Sequence, residues 1–399
     1  MQIRRAKLED KDGYIKNARY SYNAPEKYED LMGRKFEQYT DQYYTVRDGD
    51  RVLANGRVIP FKQNIRGVLR SMGGIASISS APETRRQGHV REMVKLMLTD
   101  MNEEGVSFST LYPFKDEFYA RFGYVPMPPF HRIQLRVDLM RRWEIPEGYY
   151  LKMMPLEEGL EYAKIVHREA ITGIHGTVVR SDARWKEHAM RDDIQYVFAF
   201  TDEGRPIAFM SYSNKNYGAF GDDDRNGMMY VHGMNMYWSI LTGRNMLLNF
   251  IHNHSDQVVT VTIPVYPVDQ DYWHWTRRFN IGDVKVQAYN IAMARIINVE
   301  RMITGLPSGV KGNVFLKVTD ATCPWNEGVY SFSCDGLTLQ VKRVNENEHA
   351  EISIEGLTSL VLGTAPLATI RELQQLEGEK VEILGTWFRP TMPWFTEDF

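Results

Sequence analysis

The chain has 399 residues, a formal charge of −3, 43% hydrophobic residues and 25% charged residues. That balance excludes a disordered chain and describes a globular protein long enough for two or three cores. The charge leaves no global basic field and no Lys/Arg-rich run supplies a local one, so nucleic acid is not an expected partner.

No apolar stretch follows the basic residues Arg4, Arg5 and Lys7, and no segment reaches the roughly 18 apolar residues of a membrane span. A cytoplasmic protein with no membrane partner is expected. Cys323 and Cys334 stand in no metal-ligand spacing, so neither a metal nor a disulfide is expected.

In chain order, periodicity and turn residues predict a strand near Ile3, helices over Lys11 to Tyr20 and Lys27 to Tyr39, and a hairpin from Tyr43 to Phe61 turning at Asp48-Gly49-Asp50. A strand from Gly74 to Ser80 leads to a helix in which Val90, Met93, Val94, Met97 and Met101 recur at the 3.6 period, with Gly105 as its stop. Then follow a strand over Val106 to Leu111, a short helix over Lys115 to Phe122 and a strand over Arg132 to Val137. Pro126, Pro128 and Pro129 mark a boundary, and a first domain of 1–135 is expected.

The next stretch, 136–290, repeats the plan. Helices over Glu157 to Ala170 and Asp182 to Met190 precede a hairpin from Tyr196 to Tyr212, a strand over Met228 to Met236, a helix over Ile240 to His254 and a strand over Val258 to Ile263. The order reads as an internal duplication of topology. Residues 291–399 form a third, α+β region. It starts with a helix over Met293 to Ile303, continues with strands at Val314 to Val318, Val329 to Cys334, Leu337 to Arg343 and Ala350 to Glu355, and has a last strand at Val381 to Leu384.

The strongest local signal is Ile78-Ser79-Ser80-Ala81-Pro82-Glu83-Thr84-Arg85-Arg86-Gln87-Gly88-His89-Val90. A strand ends, a basic turn follows, and a glycine stands where a helix begins. Such a turn presents backbone N–H groups at the positive end of the helix dipole, which suits a diphosphate, and Arg85 and Arg86 add charge-assisted hydrogen bonds. The bland alternative is a solvated, capped helix start. The segment resembles the R-x-x-G-x-(G/A) loop of the GNAT acetyltransferases, with Val90 departing at the last position. That resemblance implies acetyl-CoA as cosubstrate, held by Arg85, Arg86, Gly88 and His89, with the main chain of Ile78, Ser79 and Ser80 along its pantetheine arm.

A second element, Phe118-Tyr119-Ala120-Arg121-Phe122-Gly123-Tyr124, offers a tyrosine that stays protonated at neutral pH and can protonate a departing thiolate. Tyr119 is the expected general acid, and packing of the short helix is its alternative role. Together Ala81 to Gly88, Tyr119 to Tyr124 and Ala292 to Met302 resemble the Eis (enhanced intracellular survival) acetyltransferases. The resemblance spans the whole chain. It implies an α/β and α+β fold of tandem GNAT-like domains, each a mixed, splayed sheet with flanking helices, before a sterol-carrier-protein-like domain. It also implies a hexamer acting on amines such as aminoglycosides or lysines. The second copy begins its helix at Leu241-Thr242-Gly243-Arg244, without the loop, so one cosubstrate per chain is expected.

The same resemblance implies the Phe399 carboxylate as general base. The tail from Trp387 to Phe399 carries the aromatics and prolines of a docked segment. Glu397 and Asp398 are expected either to bind a cationic amine or to solvate the tail; Glu117 is a lesser candidate base. A hydrophobic plug is the alternative role of Phe399, and a non-catalytic CoA sensor or apolar-ligand carrier is the alternative function. His252 and His254 do not face one way on a helix. Tyr272 to Trp275 reads as core packing or an aromatic pocket, and Asp222 to Asp224 as a solvated loop.

Overall fold

The computed structural model describes residues 1–190, 194–216, 227–266, 271–277, 282–289, 291–395, 397 and 399. They fall into two compact units, 1–128 with 291–393 and 399, and 129–290 with 394–398. Among the described residues no helix is long and apolar enough to cross a membrane.

The first unit opens with β1 (Gln2–Arg5), α1 (Lys11–Tyr22), α2 (Glu29–Gln38), β2 (Tyr43–Asp48), β3 (Arg51–Ile65) and β4 (Val68–Ser80). It continues with α3 (His89–Glu103), β5 (Phe108–Leu111), α4 (Asp116–Ala120) and β6 (Val125–Pro126). The expected elements all form here. On α3 the periodic residues Met93, Val94, Met97, Leu98 and Met101 are buried, packing with Tyr44, Val46, Leu53 and Ile75 of the sheet.

The second unit comprises β7 (Phe130–Arg136), β8 (Tyr150–Met153), α5 (Leu156–Ile171), β9 (Val178–Val179), α6 (Asp182–Ala189), β10 (Gln195–Phe200), β11 (Pro206–Lys215), β12 (Met228–Trp238), α7 (Leu241–His252), β13 (Thr260–Val265) and β14 (Val284–Tyr289). Its sheet runs β14-β7-β13-β12-β11-β10-β8. Alternation along the strands divides two cores: Phe198, Phe200 and Phe209 pack with α5, and Val197, Ala199 and Ala208 with α7. The strand predicted over Arg132 to Val137 is β7, and it pairs with β13 and β14 rather than closing the first sheet. Its half-buried alternation suits either sheet, so the sequence could not choose its partner.

The chain then returns to the first unit with β15 (Met293–Ile296), α8 (Val299–Ile303), β16 (Gly312–Thr319), β17 (Gly328–Cys334), β18 (Leu339–Arg343), β19 (Ala350–Ser353), α9 (Ile354–Leu362), α10 (Leu367–Glu372), β20 (Leu376–Gly378) and α11 (Glu382–Trp387). The predicted helix over Met293 to Ile303 is corrected: its first residues are a strand lying between β5 and β6, giving the order β1-β2-β3-β4-β5-β15-β6. Met293 to Ile296 are all buried, and a short run buried on both faces has no telling period. The strand predicted at Val381 to Leu384 is likewise corrected to the start of α11. A five-stranded sheet, β18-β17-β16-β19-β20, carries α9. Fully buried Arg295 joins this region to the first sheet, donating to the Phe122 carbonyl and to Asp320 at 2.5 Å.

Candidate active site

Beyond β4 the chain turns through Pro82–Thr84 and enters α3 with Arg86 at φ 63° and Gly88 at φ 89°. No side chain caps the helix. Among the described residues, none of the backbone N–H groups from Arg85 through Arg91 has a protein acceptor; the first bond of the helix is Glu92 N to Gly88 O at 3.1 Å. A Cβ built on Gly88 meets nothing within 4 Å, so the loop is open at this glycine. Arg85 lies 5.5 Å from the Tyr20 ring and, like Arg86, is exposed. Glu83, the one acid of this turn, is engaged by Arg51. A row of free amides with two exposed guanidinium groups fits a diphosphate. His89 bonds Gln87 through Nε2 at 3.2 Å, while its shielded Nδ1 has no partner.

The strand before the loop is bent in the way a ligand slot needs. Pairing of β4 with β5 is parallel and stops at Ile75 opposite Leu111, while β4 runs on to Ser80, so among the described residues its last residues have no strand on that side. On the other side the register with β3 shifts between Asn55↔Ser79 and Arg57↔Ala76, a bulge with Ser77 at φ 54°. Ser79 and Ser80 keep their places opposite Asn55 and Ala54, and the Ser79 hydroxyl accepts from Asn55 Nδ2 at 2.8 Å.

Tyr22 donates its hydroxyl to the Ile78 carbonyl at 2.9 Å. The residue is 54% exposed, and burial of its hydroxyl beside the strand, with nearby Tyr14, pushes that group up to about 12. Sequence reasoning missed this residue; the available signal was an aromatic at the last turn of α1 just before a polar stop, Asn23.

Tyr119 sits on α4 among Phe114, Phe118 and Tyr124, with ring centroids 5.0 to 6.1 Å away. Burial, reinforced by Tyr22 and Tyr124, pushes its hydroxyl well above the ordinary tyrosine value, so it is a proton donor across the neutral range. Among the described residues it makes no hydrogen bond. Tyr124, by contrast, donates to Ser109 Oγ at 2.7 Å, which itself donates to the Gly73 carbonyl at 2.7 Å.

In the first unit the Phe399 ring lies 5.2 Å from that of Phe61 and 5.7 Å from that of Tyr112. It rests on Gly74, where a Cβ would come within 2.9 Å of it. Tyr112 directly follows β5, so the tail residue meets the sheet where β4 and β5 part. Glu117 stays at the surface, paired with Lys115 at 3.0 Å.

The expectation for Glu397 is corrected. In the second unit its carboxylate is 1% exposed, accepting from Arg180 Nε at 2.7 Å and Arg184 Nε at 2.6 Å, with His188 Nε2 at 3.2 Å. A carboxylate so enclosed is an anchor rather than a site for a substrate amine. Asp398 and the run Asp222 to Asp224 lie outside the described residues.

The second sheet departs from the first at the corresponding helix start. Gly243 N and Arg244 N both point to the Ile240 carbonyl, at 3.0 and 3.5 Å, and the Arg244 guanidinium is held by Asp271 at 2.9 Å. Among the described residues no open row of amides stands there. His252 and His254 each turn Nδ1 to a different carbonyl, Val137 and Phe250.

Comparison with known proteins agrees with this geometry. Residues 2–127 match the acetyltransferase (GNAT) domain family, and residues 299–396 match the sterol carrier protein domain family. An uncharacterized N-acetyltransferase of Streptomyces avermitilis is 21% identical over 380 residues, 90% of each chain. Among solved structures, a GCN5-related N-acetyltransferase from Anabaena variabilis is similar over 100% of both chains at TM-score 0.86 and 17% identity. Eis1 from Mycobacterium abscessus is similar over 100% of this chain and 99% of its own, at TM-score 0.76 and 15% identity. Residues 2–127 are thus a GNAT acetyltransferase domain carrying the open amide loop, residues 299–396 are a sterol carrier protein domain, and the whole chain shares the fold of Eis1.

Proposed function

We propose that this protein moves the acetyl group of acetyl-CoA to a primary amine, in an aminoglycoside-, polyamine- or lysine-like acceptor, by direct attack. The observation that carries the reading is the row of unpartnered amides from Arg85 to Arg91 beside a bulged, parted β4. Acetyl-CoA supplies an activated thioester, its diphosphate taken by those amides with Arg85, Arg86 and His89, and its pantetheine arm by the free side of residues Ile78 to Ser80. Tyr119 Oη gives its proton to sulfur as the carbon–sulfur bond breaks, and the carboxylate at Phe399 receives the proton of the amine. The Phe399 ring, seated on Gly74, fixes that group in place. A cytoplasmic hexamer is the form in which the reaction runs.

The test is thiol release from acetyl-CoA across a panel of aminoglycosides, polyamines and lysine peptides. Acceptor-dependent release, with acetyl found on a nitrogen by mass spectrometry, supports transfer. Cofactor binding without acceptor-dependent release from any amine would support the sensor reading instead.

A further inference from the structure

The last residues of β4 direct their main chain in a way the register fixes. Ala81 N donates to Leu53 O at 2.9 Å, and Ala54 stands opposite Ser80. Opposed residues of an antiparallel pair alternate between exchanging both main-chain bonds and exchanging none, so Ser79 is the residue that faces Asn55. The Ile78 carbonyl shares a trans peptide plane with the Ser79 N–H and points the other way, off β3. That is the side on which the pairing with β5 has ended.

The Tyr22 hydroxyl stands on this side, 2.9 Å from the Ile78 carbonyl oxygen. An amide N–H bonding the same carbonyl would place its nitrogen at about the same distance, so the hydroxyl fills the position that an incoming amide needs. Tyr22 is also one of the groups that push the Tyr119 hydroxyl up, which puts it beside the proposed acid. It is loosely held. Tyr22 ends α1, it is more than half exposed, and among the described residues its ring meets no other ring and its hydroxyl has no second hydrogen bond. Swinging the side chain out therefore gives up one neutral hydrogen bond and little packing.

We infer that Tyr22 is a displaceable latch on the cosubstrate slot: its hydroxyl occupies the main-chain acceptor that an amide N–H of the pantetheine arm takes, and the side chain turns out to solvent as acetyl-CoA seats. The inference rests on the reading of the loop and strand as an acetyl-CoA site.

The test is calorimetric titration of the full chain with CoA and with 3′-phospho-ADP, which keeps the diphosphate and lacks the arm. Tyr22→Phe should bind CoA about 3- to 10-fold more tightly than the parent, the worth of the bond that no longer has to break. Tyr22→Ala, which removes the ring as well, should also bind CoA more tightly than the parent, whereas 3′-phospho-ADP should bind all three proteins alike. In protein labelled with 3-fluorotyrosine, the fluorine resonance missing from Tyr22→Phe should shift when CoA is added and stay in place with 3′-phospho-ADP. Equal or weaker CoA binding by Tyr22→Phe, or an equal gain with 3′-phospho-ADP, overturns the latch and leaves the acetyl-CoA site standing. Failure of the parent and both variants to bind CoA at all overturns the two together.

Discussion

Arg180 Nε donates to Glu397 at 2.7 Å, and both side chains are sealed from water. Arg184 holds the other carboxylate oxygen at 2.6 Å and is itself balanced by Glu187 at 2.9 Å. The Arg180 guanidinium also lies over the Trp185 and Tyr237 rings, at 4.9 and 5.6 Å. Removing the anion strands buried Arg180 and leaves Arg184 with Glu187 alone, so Glu397→Gln should destabilise the second unit by about 3 to 5 kcal/mol. Urea unfolding of the variant beside the parent measures it; an unchanged midpoint would mean that packing of the tail aromatics alone holds this segment.

Acid should weaken the same unit in a defined window. Burial first, and then nearby Arg180, lowers His188 to about 4 and His167 to about 3, against an ordinary 6.5. Below about pH 6.5 the unfolded chain takes up protons that the folded chain refuses, so stability falls as pH drops from 6.5 toward 4. Burial alone would raise Glu397, but Arg180 and Arg184 hold it well below the usual carboxylate range. Its contribution is complete above about 4.5 and is lost only as pH falls through its lower folded value. His188→Gln should therefore flatten the stability profile between pH 6.5 and 4, as read by thermal denaturation over a pH series.

Tyr119→Phe keeps the ring packing and deletes the proton. Turnover should fall by about 10²- to 10⁴-fold while acetyl-CoA affinity stays unchanged, because proton donation matters chiefly in the transition state. Since its hydroxyl titrates far above neutrality, kcat should show no alkaline loss attributable to this residue below about pH 10. A Phe variant with parental turnover would remove Tyr119 from the mechanism.

Gly88 stands at φ 89°, where a side chain with a branched Cβ is strained. Gly88→Val should weaken acetyl-CoA binding by about 1 to 3 kcal/mol, roughly 5- to 150-fold. Replacing Arg85 and Arg86 by Ala should weaken it too, and should reduce the salt dependence of the affinity. Calorimetry at two ionic strengths separates these effects; uptake indifferent to both changes would overturn the loop assignment.

Much of the fold was readable because its signals are local. The methionine stripe of α3, the hairpin turn at Gly49 and the loop glycine at 88 each follow from a period or a backbone requirement within a few residues. Pairing was not readable. The residues of β7 and β15 carry patterns that suit more than one partner, and only tertiary contacts choose. The loop of the site was legible for the same local reason, whereas the role of Glu397 was not: its neighbours Arg180, Arg184 and His188 lie more than 200 residues away along the chain. Tyr22 escaped notice because its partner is a main-chain carbonyl, which no side-chain pattern announces.

The placement of β15 between β5 and β6 bears on how the molecule must be made. During synthesis the first 128 residues emerge with β5 an open edge and β6 lacking its neighbour, and the missing strand is translated only after the whole second unit. An edge left bare on a nascent chain invites pairing with the wrong partner, and contacts so distant in sequence form slowly. A gene fragment ending at residue 128 should therefore yield insoluble protein, and one extended through residue 296 should recover the sheet.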